Sequence, residues 1–266
     1  MSQLISGNSI AKLCDHIFSQ TAVDTTSTSG YRIVKNPWVI NNLKSNQSVF
    51  VKTDYLEEFF LLAQATKNID NITIVTHDSD RVIDQNITNK IPPCVKRMFS
   101  INACVIDSRV IPIPIGIAND YCKITFKPQI QKNVNVVGTK ALIACNVKNN
   151  PTERTPLYSH KFDEEVTVIR NMISLNDYES ILNQHDFVFC PEGNGPDTHR
   201  IWETLYMGKI PIVKIADWNR SFRDLPILFV DSLLEATESI RLSFVESKLA
   251  YQKMDKSTLG YWKNML

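Results

Sequence analysis

Thr198, Arg200 and Glu203 fall in one short stretch, and their side chains suit the binding of a nucleotide. An arginine can grip a phosphate through two parallel N–H donors, and a carboxylate can accept hydrogen bonds from ribose hydroxyls. Arg200 and Glu203 are three apart, so on a helix they share a face near its first turn. Just before them, Gly193, Asn194, Gly195 and Pro196 form a loop whose glycines reach backbone angles closed to other residues. The elements needed to position these groups are also legible. Residues 186–190 (DFVFC) read as a buried parallel strand that Pro191 stops. Asp197 and Thr198 are N-cap types for a helix through Tyr206, Gly208 ends that helix, and residues 210–215 (IPIVKI) form the next strand. A glycine loop leading from a strand into a helix N-terminus is a ready anion site, because free N–H groups and the helix dipole both point at the ligand. A capped helix with a surface ion pair would account for Arg200 and Glu203 but not for the loop and its flanking strands. The expectation is a nucleotide-diphosphate cradle.

Phe189, Cys190, Pro191, Gly193, Gly195, Asp197, Thr198, Arg200, Glu203, Gly208, Ile210, Pro211 and Ile212 together resemble the donor-binding signature of exostosin-like glycosyltransferases. The resemblance implies an α/β fold, GT-B-like, with two Rossmann-like domains facing each other across a cleft. It also implies transfer of a sugar from a nucleotide donor with inversion. Glu192 and His199 occupy neighbourhoods where the family pattern often carries Arg and Ser, and Thr198 stands as the hydroxyl residue.

Bulk properties narrow the remaining classes. The chain has 266 residues, enough for one large or two modest cores, with 43% hydrophobic and 21% charged residues. A net charge of +1 gives no broad footprint for nucleic acid. Six cysteines lack metal-type spacing and read as inert thiols, several of them in strand-like apolar runs. No run is long enough to span a bilayer, and the N-terminus lacks a basic region followed by an apolar one. A soluble, cytoplasmic protein is expected, in contrast to the membrane-anchored Golgi setting of cellular exostosin-like enzymes. The sequons at Asn46, Asn71, Asn86 and Asn219 would then go unused. A short microbial or viral member of the family would fit this description.

Two series of alternating strands and helices argue for two α/β domains with parallel sheets. In the first, residues 8–18 carry Ile10, Leu13 and Ile17 at helical spacing, residues 21–31 read as a Thr/Ser-rich loop, and residues 48–52 form a strand. Asp54 with Glu57 suggests a capping box for a helix over residues 55–65. Residues 71–76 form a strand, 92–98 a helix or irregular segment, and 101–106 and 110–117 further strands, the last demoted to an edge by its prolines. The polar stretch 123–139 marks the boundary. The second series runs through a strand at 140–147, a helix from about Leu157, a strand at 166–173, a helix at 177–183, the donor unit, and the strand within 223–231. The expected division is an acceptor-binding domain over 1–135, a nucleotide-sugar-binding domain over 136–250, and a closing helix over 251–266. The resemblance implies that this last helix packs back on the first domain.

Transfer to a hydroxyl requires stabilisation of the departing diphosphate and removal of a proton from the acceptor. Arg200, Thr198 and Gly195 meet the first need, with Asn194 and Asp197 in the same loop. Arg154 is a second phosphate candidate, since it follows a strand and an Asn-Asn-Pro turn, and the run from Asn146 to Arg154 resembles the family's second-domain loop. For the base, His77, Asp78 and Asp80 follow the strand at 71–76, at the end of a sheet where ligands bind. The resemblance ranks Asp80 first, Asp78 second and His77 third. A plain surface turn explains the same residues equally well. Gly116 and Asn119 are placed on the cleft floor near the donor sugar, where an edge strand and turn would explain them nearly as well. The implied architecture needs no metal and no cofactor beyond the nucleotide-sugar co-substrate, expected to be UDP-linked, with a glycan acceptor as partner. Two other readings stay open: a non-catalytic nucleotide-sugar or glycan-binding protein, and another nucleotide-sugar enzyme such as an epimerase. The lack of a GxGxxG fingerprint argues against a bound dinucleotide.

Overall fold

A computed structural model of the chain describes residues 4–122, 131, 134, 136–247 and 253–266. The chain divides into two compact units, Met1–Thr125 with Leu259–Leu266, and Phe126–Thr258. Most of the expected boundary stretch, residues 123–139, lies outside the described residues.

The first unit begins with α1 (Gly7–Ala11), β1 (His16–Val23), β2 (Tyr31–Lys35) and β3 (Ser48–Lys52). It continues with α2 (Leu56–Ala65), β4 (Ile72–His77), α3 (Gln85–Thr88), β5 (Val95–Ser100) and β6 (Val110–Pro112). The six strands lie in the order β2-β1-β3-β4-β5-β6. All pairs are parallel except the antiparallel edge hairpin β1–β2, where Val23 faces Tyr31 and Thr21 faces Ile33. Every residue of β4 is buried, as a central parallel strand covered on both faces must be. Phe18, Val49, Phe59, Ile74 and Met98 join one apolar core between sheet and helices.

Four sequence expectations change in this unit. Ile10, Leu13 and Ile17 do not share a helix: α1 ends at Ala11 and the chain enters β1 at His16. Pairing with β3, remote in sequence, overrides the local spacing there. In the stretch read as a Thr/Ser-rich loop, residues 21–23 complete β1 and Tyr31 opens β2, so the connecting turn is confined to residues 24–30. The strand expected at 101–106 forms earlier, as β5, because that register places Met98 and Phe99 in the interior between β4 and β6. The capping box is also absent. Tyr55 holds the N-cap position of α2 without a side-chain bond, Asp54 pairs with Lys52 and accepts from Ser79 Oγ at 2.8 Å, and Glu57 pairs with Arg81 and Lys90.

The second unit contains β7 (Ala141–Ile143), α4 (Pro151–Ser159), β8 (Val166–Val168), α5 (Leu175–Asn183) and β9 (Phe187–Phe189). After these come α6 (His199–Tyr206), β10 (Ile210–Lys214), β11 (Leu228–Val230) and α7 (Glu238–Ser247). Its five strands are all parallel, in the order β11-β10-β9-β7-β8. The chain steps outward from β7 to β8, then returns across β7 to β9, so the carboxyl ends of β7 and β9 form a topological switch point. The protein is thus a mixed α/β molecule with two sheets of parallel strands. The last helix, α8 (Leu259–Lys263), belongs to the first unit, where Trp262 packs edge-on against Phe99 and Arg97 donates to the Met265 carbonyl at 3.2 Å.

Candidate functional site

The switch point of the second unit is bordered by two loops, residues 144–146 after β7 and residues 190–196 after β9. Asn150 ties them together. Its Oδ1 caps α4 by accepting from Glu153 N, and its Nδ2 donates to the Gly193 carbonyl at 3.1 Å. From the first turn of α4, Arg154 donates through Nε to Glu192 O at 2.9 Å and through Nη1 to Asn146 O at 2.7 Å. Gly193 lies close to this guanidinium: a Cβ there would stand 3.0 Å from Arg154 Nη2.

Arg200, in the first turn of α6, reaches the other loop. Its Nη1 donates to the Ala144 carbonyl and to Tyr178 Oη, and its guanidinium stacks 4.9 Å over the Tyr178 ring. Among the described residues, neither Arg154 nor Arg200 forms an ion pair with a carboxylate. Burial and the charge of Arg200 pull the Arg154 guanidinium below its usual range. Burial would lower Arg200 as well, but Tyr178, Glu203 and the nearby Cys190 and Cys145 outweigh it and raise the value. Glu203, one turn on, is raised by burial against the opposing pull of Arg200. Both guanidiniums are thus bonded to carbonyl and phenol oxygens, with the Glu203 carboxyl acting on Arg200 electrostatically.

Thr198 occupies the N-cap of α6 with extended backbone angles, yet its side chain makes no capping bond. Its Oγ1 is buried without a hydrogen-bond partner. Such a group costs free energy unless something else fills the gap. Asp197 is committed elsewhere, accepting from Trp202 Nε1 at 2.8 Å and so bracing the helix start against the core. Asn194 is exposed at the loop tip, and Gly195 is buried and accepts from Gly193 N at 3.0 Å. Gly208 follows the helix with φ +68, the left-handed value a helix stop requires.

A second cluster lies at the carboxyl end of β4 in the first unit. His77 is buried, with Nε2 at 3.1 Å from Ile115 O and Nδ1 at 2.7 Å from Asp78 N and 3.1 Å from Asp78 Oδ1. Asp78 has φ +62, and its side chain is only 3% exposed. Asn119 Nδ2 donates to Asp78 Oδ1 at 2.8 Å, whereas Oδ2 has no partner. Burial would raise this carboxyl, but His77, Asn119 and the Lys52 ammonium together hold it below the usual range. Asn119 also accepts from Asn8 N at 2.7 Å and donates to Tyr121 Oη at 3.2 Å. Gly116 has φ +66, and a Cβ there would stand 2.1 Å from Ile5 O. Gly116 and Asn119 therefore help to build the surroundings of Asp78 in the first unit. Asp80 alone of the three candidate bases is exposed.

Residues 140–221 match the family model of the RXYLT1 C-terminal domain. The matched segment carries Arg154, Asn194, Gly195, Asp197, Thr198, Arg200 and Glu203, and it supports the exostosin-like glycosyltransferase family for this chain. No curated protein matches the chain. The match suggests a glycosyltransferase, with the donor and acceptor substrates such an enzyme implies. Among the described residues, no group of three or more His, Cys, Asp or Glu side chains is placed to hold a metal ion. No described helix is long and apolar enough to cross a membrane.

The sequence reading overlooked Tyr178, which props Arg200 from α5, and no local signal links the two. It also overlooked Lys52 and Tyr121. Lys52 ends β3 on the same sheet edge as His77, so the signal that singled out His77, Asp78 and Asp80 applies to it as well.

Proposed function

We propose that the protein is an inverting glycosyltransferase that uses a nucleotide-diphosphate sugar, UDP-linked, to extend a glycan without a metal ion. The observation that carries this reading is the pair of half-satisfied arginines at the switch point, with the unpartnered hydroxyl of Thr198 in the cap of α6. A diphosphate matches what these groups lack. It would bring the negative charge that two guanidiniums without carboxylate partners attract, and acceptor oxygens for Thr198 and the first-turn amides. As the glycosidic bond to the donor breaks, charge grows on the leaving diphosphate, and the same fixed cations stabilise it. This supplies the positive charge that a metal would otherwise bring. Glu203 accepts from the ribose hydroxyls, and Asn194 and Gly195 close the loop over the donor.

In the first unit Asp80 takes the proton from the acceptor hydroxyl. Its exposure favours it over His77, whose two ring nitrogens are both engaged, and over Asp78, whose carboxylate is buried. Asp78, Asn119 and Gly116 then serve to hold the strand-end loop in place.

Thermal-shift measurement against a panel of nucleotides and nucleotide sugars tests the donor class. UDP and a UDP-sugar are expected to raise the melting temperature, because each binds the native state. A panel with no nucleotide response would overturn the reading. Hydrolysis of the best-bound UDP-sugar then separates an enzyme from a binding protein, and Asp80→Asn is expected to keep UDP binding while transfer stops.

A further inference from the structure

We propose that Glu192 recognises the sugar of the nucleotide donor, its carboxylate accepting hydrogen bonds from ring hydroxyls at the carboxyl end of β9. This rests on the glycosyltransferase reading and adds a residue that reading does not use. Three elements meet at that strand end. Glu192 lies in the loop after β9, Lys214 ends β10, and Glu153 stands in the first turn of α4. Strand β9 runs between β10 and β7, and the pairing of Ile212 with Phe189 brings Lys214 beside the start of that loop. Lys214 Nζ donates to Glu153 Oε1 at 3.3 Å, so an ion pair joins the elements on either side of it.

Glu192 is the member of this group left without a partner. It is half-buried, and among the described residues its carboxylate enters no hydrogen bond or ion pair. Burial and the neighbouring Glu153 push the Glu192 carboxyl above its usual range, against the pull of Lys214. Its backbone, by contrast, is fixed. Arg154 Nε donates to the Glu192 carbonyl at 2.9 Å, and Asn150 Nδ2 to the Gly193 carbonyl at 3.1 Å. The unpartnered Thr198 hydroxyl belongs to the same place, since a Cβ on Gly193 would stand 3.6 Å from Thr198 Cγ2. A carboxylate beside a second carboxylate repels phosphate and calls for hydrogen-bond donors, and hydroxyls supply them without adding negative charge. The order of the groups selects which hydroxyls. A diphosphate gripped by both arginines has the ribose at one end and the sugar at the other. Glu203 sits beside Arg200 and Glu192 beside Arg154, so ribose at the first places the sugar at the second.

Calorimetry of the full chain with UDP, UDP-glucose, UDP-galactose, UDP-xylose and UDP-N-acetylglucosamine tests this. In Glu192→Ala the best-bound UDP-sugar is expected to bind about fivefold more weakly or worse, with Glu192→Gln in between because its amide keeps one acceptor oxygen. UDP itself should bind both variants no more weakly than wild type, which, with an unchanged melting temperature, shows that the loop keeps its form. An equal loss for UDP and the UDP-sugar, or no loss for either, overturns the sugar contact and leaves the donor reading standing. Wild-type binding of UDP without any of the UDP-sugars overturns the contact as well. A wild-type protein that binds neither UDP nor a UDP-sugar overturns both.

Discussion

Arg241 and the pair Arg154 and Arg200 belong to the same unit but are satisfied in opposite ways. Arg241 has no exposed surface, pairs with Asp163 at 2.7 Å, and donates to the Thr139 and Ala236 carbonyls. It is a closed network that joins α7 to the loops beneath it. Arg154 and Arg200 each take two oxygens, all of them carbonyl or phenol, and neither has a carboxylate among the described residues. A buried cation with no carboxylate bonded to it is costly, and an arriving anion would offset that cost. On the proposed reading, an arginine's remaining bonding capacity, more than its burial, points to where an anion would bind.

Substitutions at these positions should separate stability from binding. The largest effect is expected from Arg241→Ala, which strands Asp163 and two carbonyls and should lower stability by about 3–5 kcal/mol in urea unfolding. UDP affinity of the protein that remains folded should be unchanged. Arg200→Lys keeps the charge but loses the planar fork, and should weaken UDP by about 1.5–3 kcal/mol in calorimetry, with a smaller loss of stability. Thr198→Val sharpens the contrast further. It removes a buried hydroxyl that has no partner, so the melting temperature should hold or rise, while UDP binding should weaken by about 1 kcal/mol.

The acid limb of stability should separate two carboxylates of the first unit. Asp78 and Glu57 are both held below their ordinary values, Glu57 at about 2 through Lys90 and Arg81. A depressed carboxyl stabilises the fold above its unfolded value and loses that contribution as pH falls through its folded value. Melting temperatures between pH 7 and pH 3 should therefore fall less steeply in Asp78→Asn. Glu57→Gln should change stability by only about 0.5 kcal/mol at pH 7, because Glu57 is a surface group screened by solvent.

The strand–loop–helix–strand unit of residues 186–214 was legible because each of its parts is local. Phe187–Phe189 is a short apolar run, Pro191 and the glycines punctuate it, Thr198 stands at the N-cap position of α6, and Gly208 ends that helix. What holds the arginines was not legible, since Ala144 and Tyr178 come from other elements that only the sheet order brings near. The same limit explains β1, whose partner β3 is remote, and β5, where Pro92 and Pro93 obscured a strand that starts at Val95. The cluster at β4 was readable as a strand end, but not the division of work within it. Exposure alone separates Asp80 from Asp78, and side-chain packing around Gly7, Asn8 and Asn119 sets that exposure.

Calorimetric titration of UDP into the wild-type protein and into Arg154→Lys, Arg200→Lys and Arg241→Lys bears most directly on the two half-satisfied arginines. Saturable binding is expected in the wild type, at least tenfold weaker in the first two variants and unchanged in whatever fraction of the third stays folded. Wild-type affinity in both Arg154→Lys and Arg200→Lys, or no UDP binding at all, would contradict a diphosphate cradle at the ends of β7 and β9.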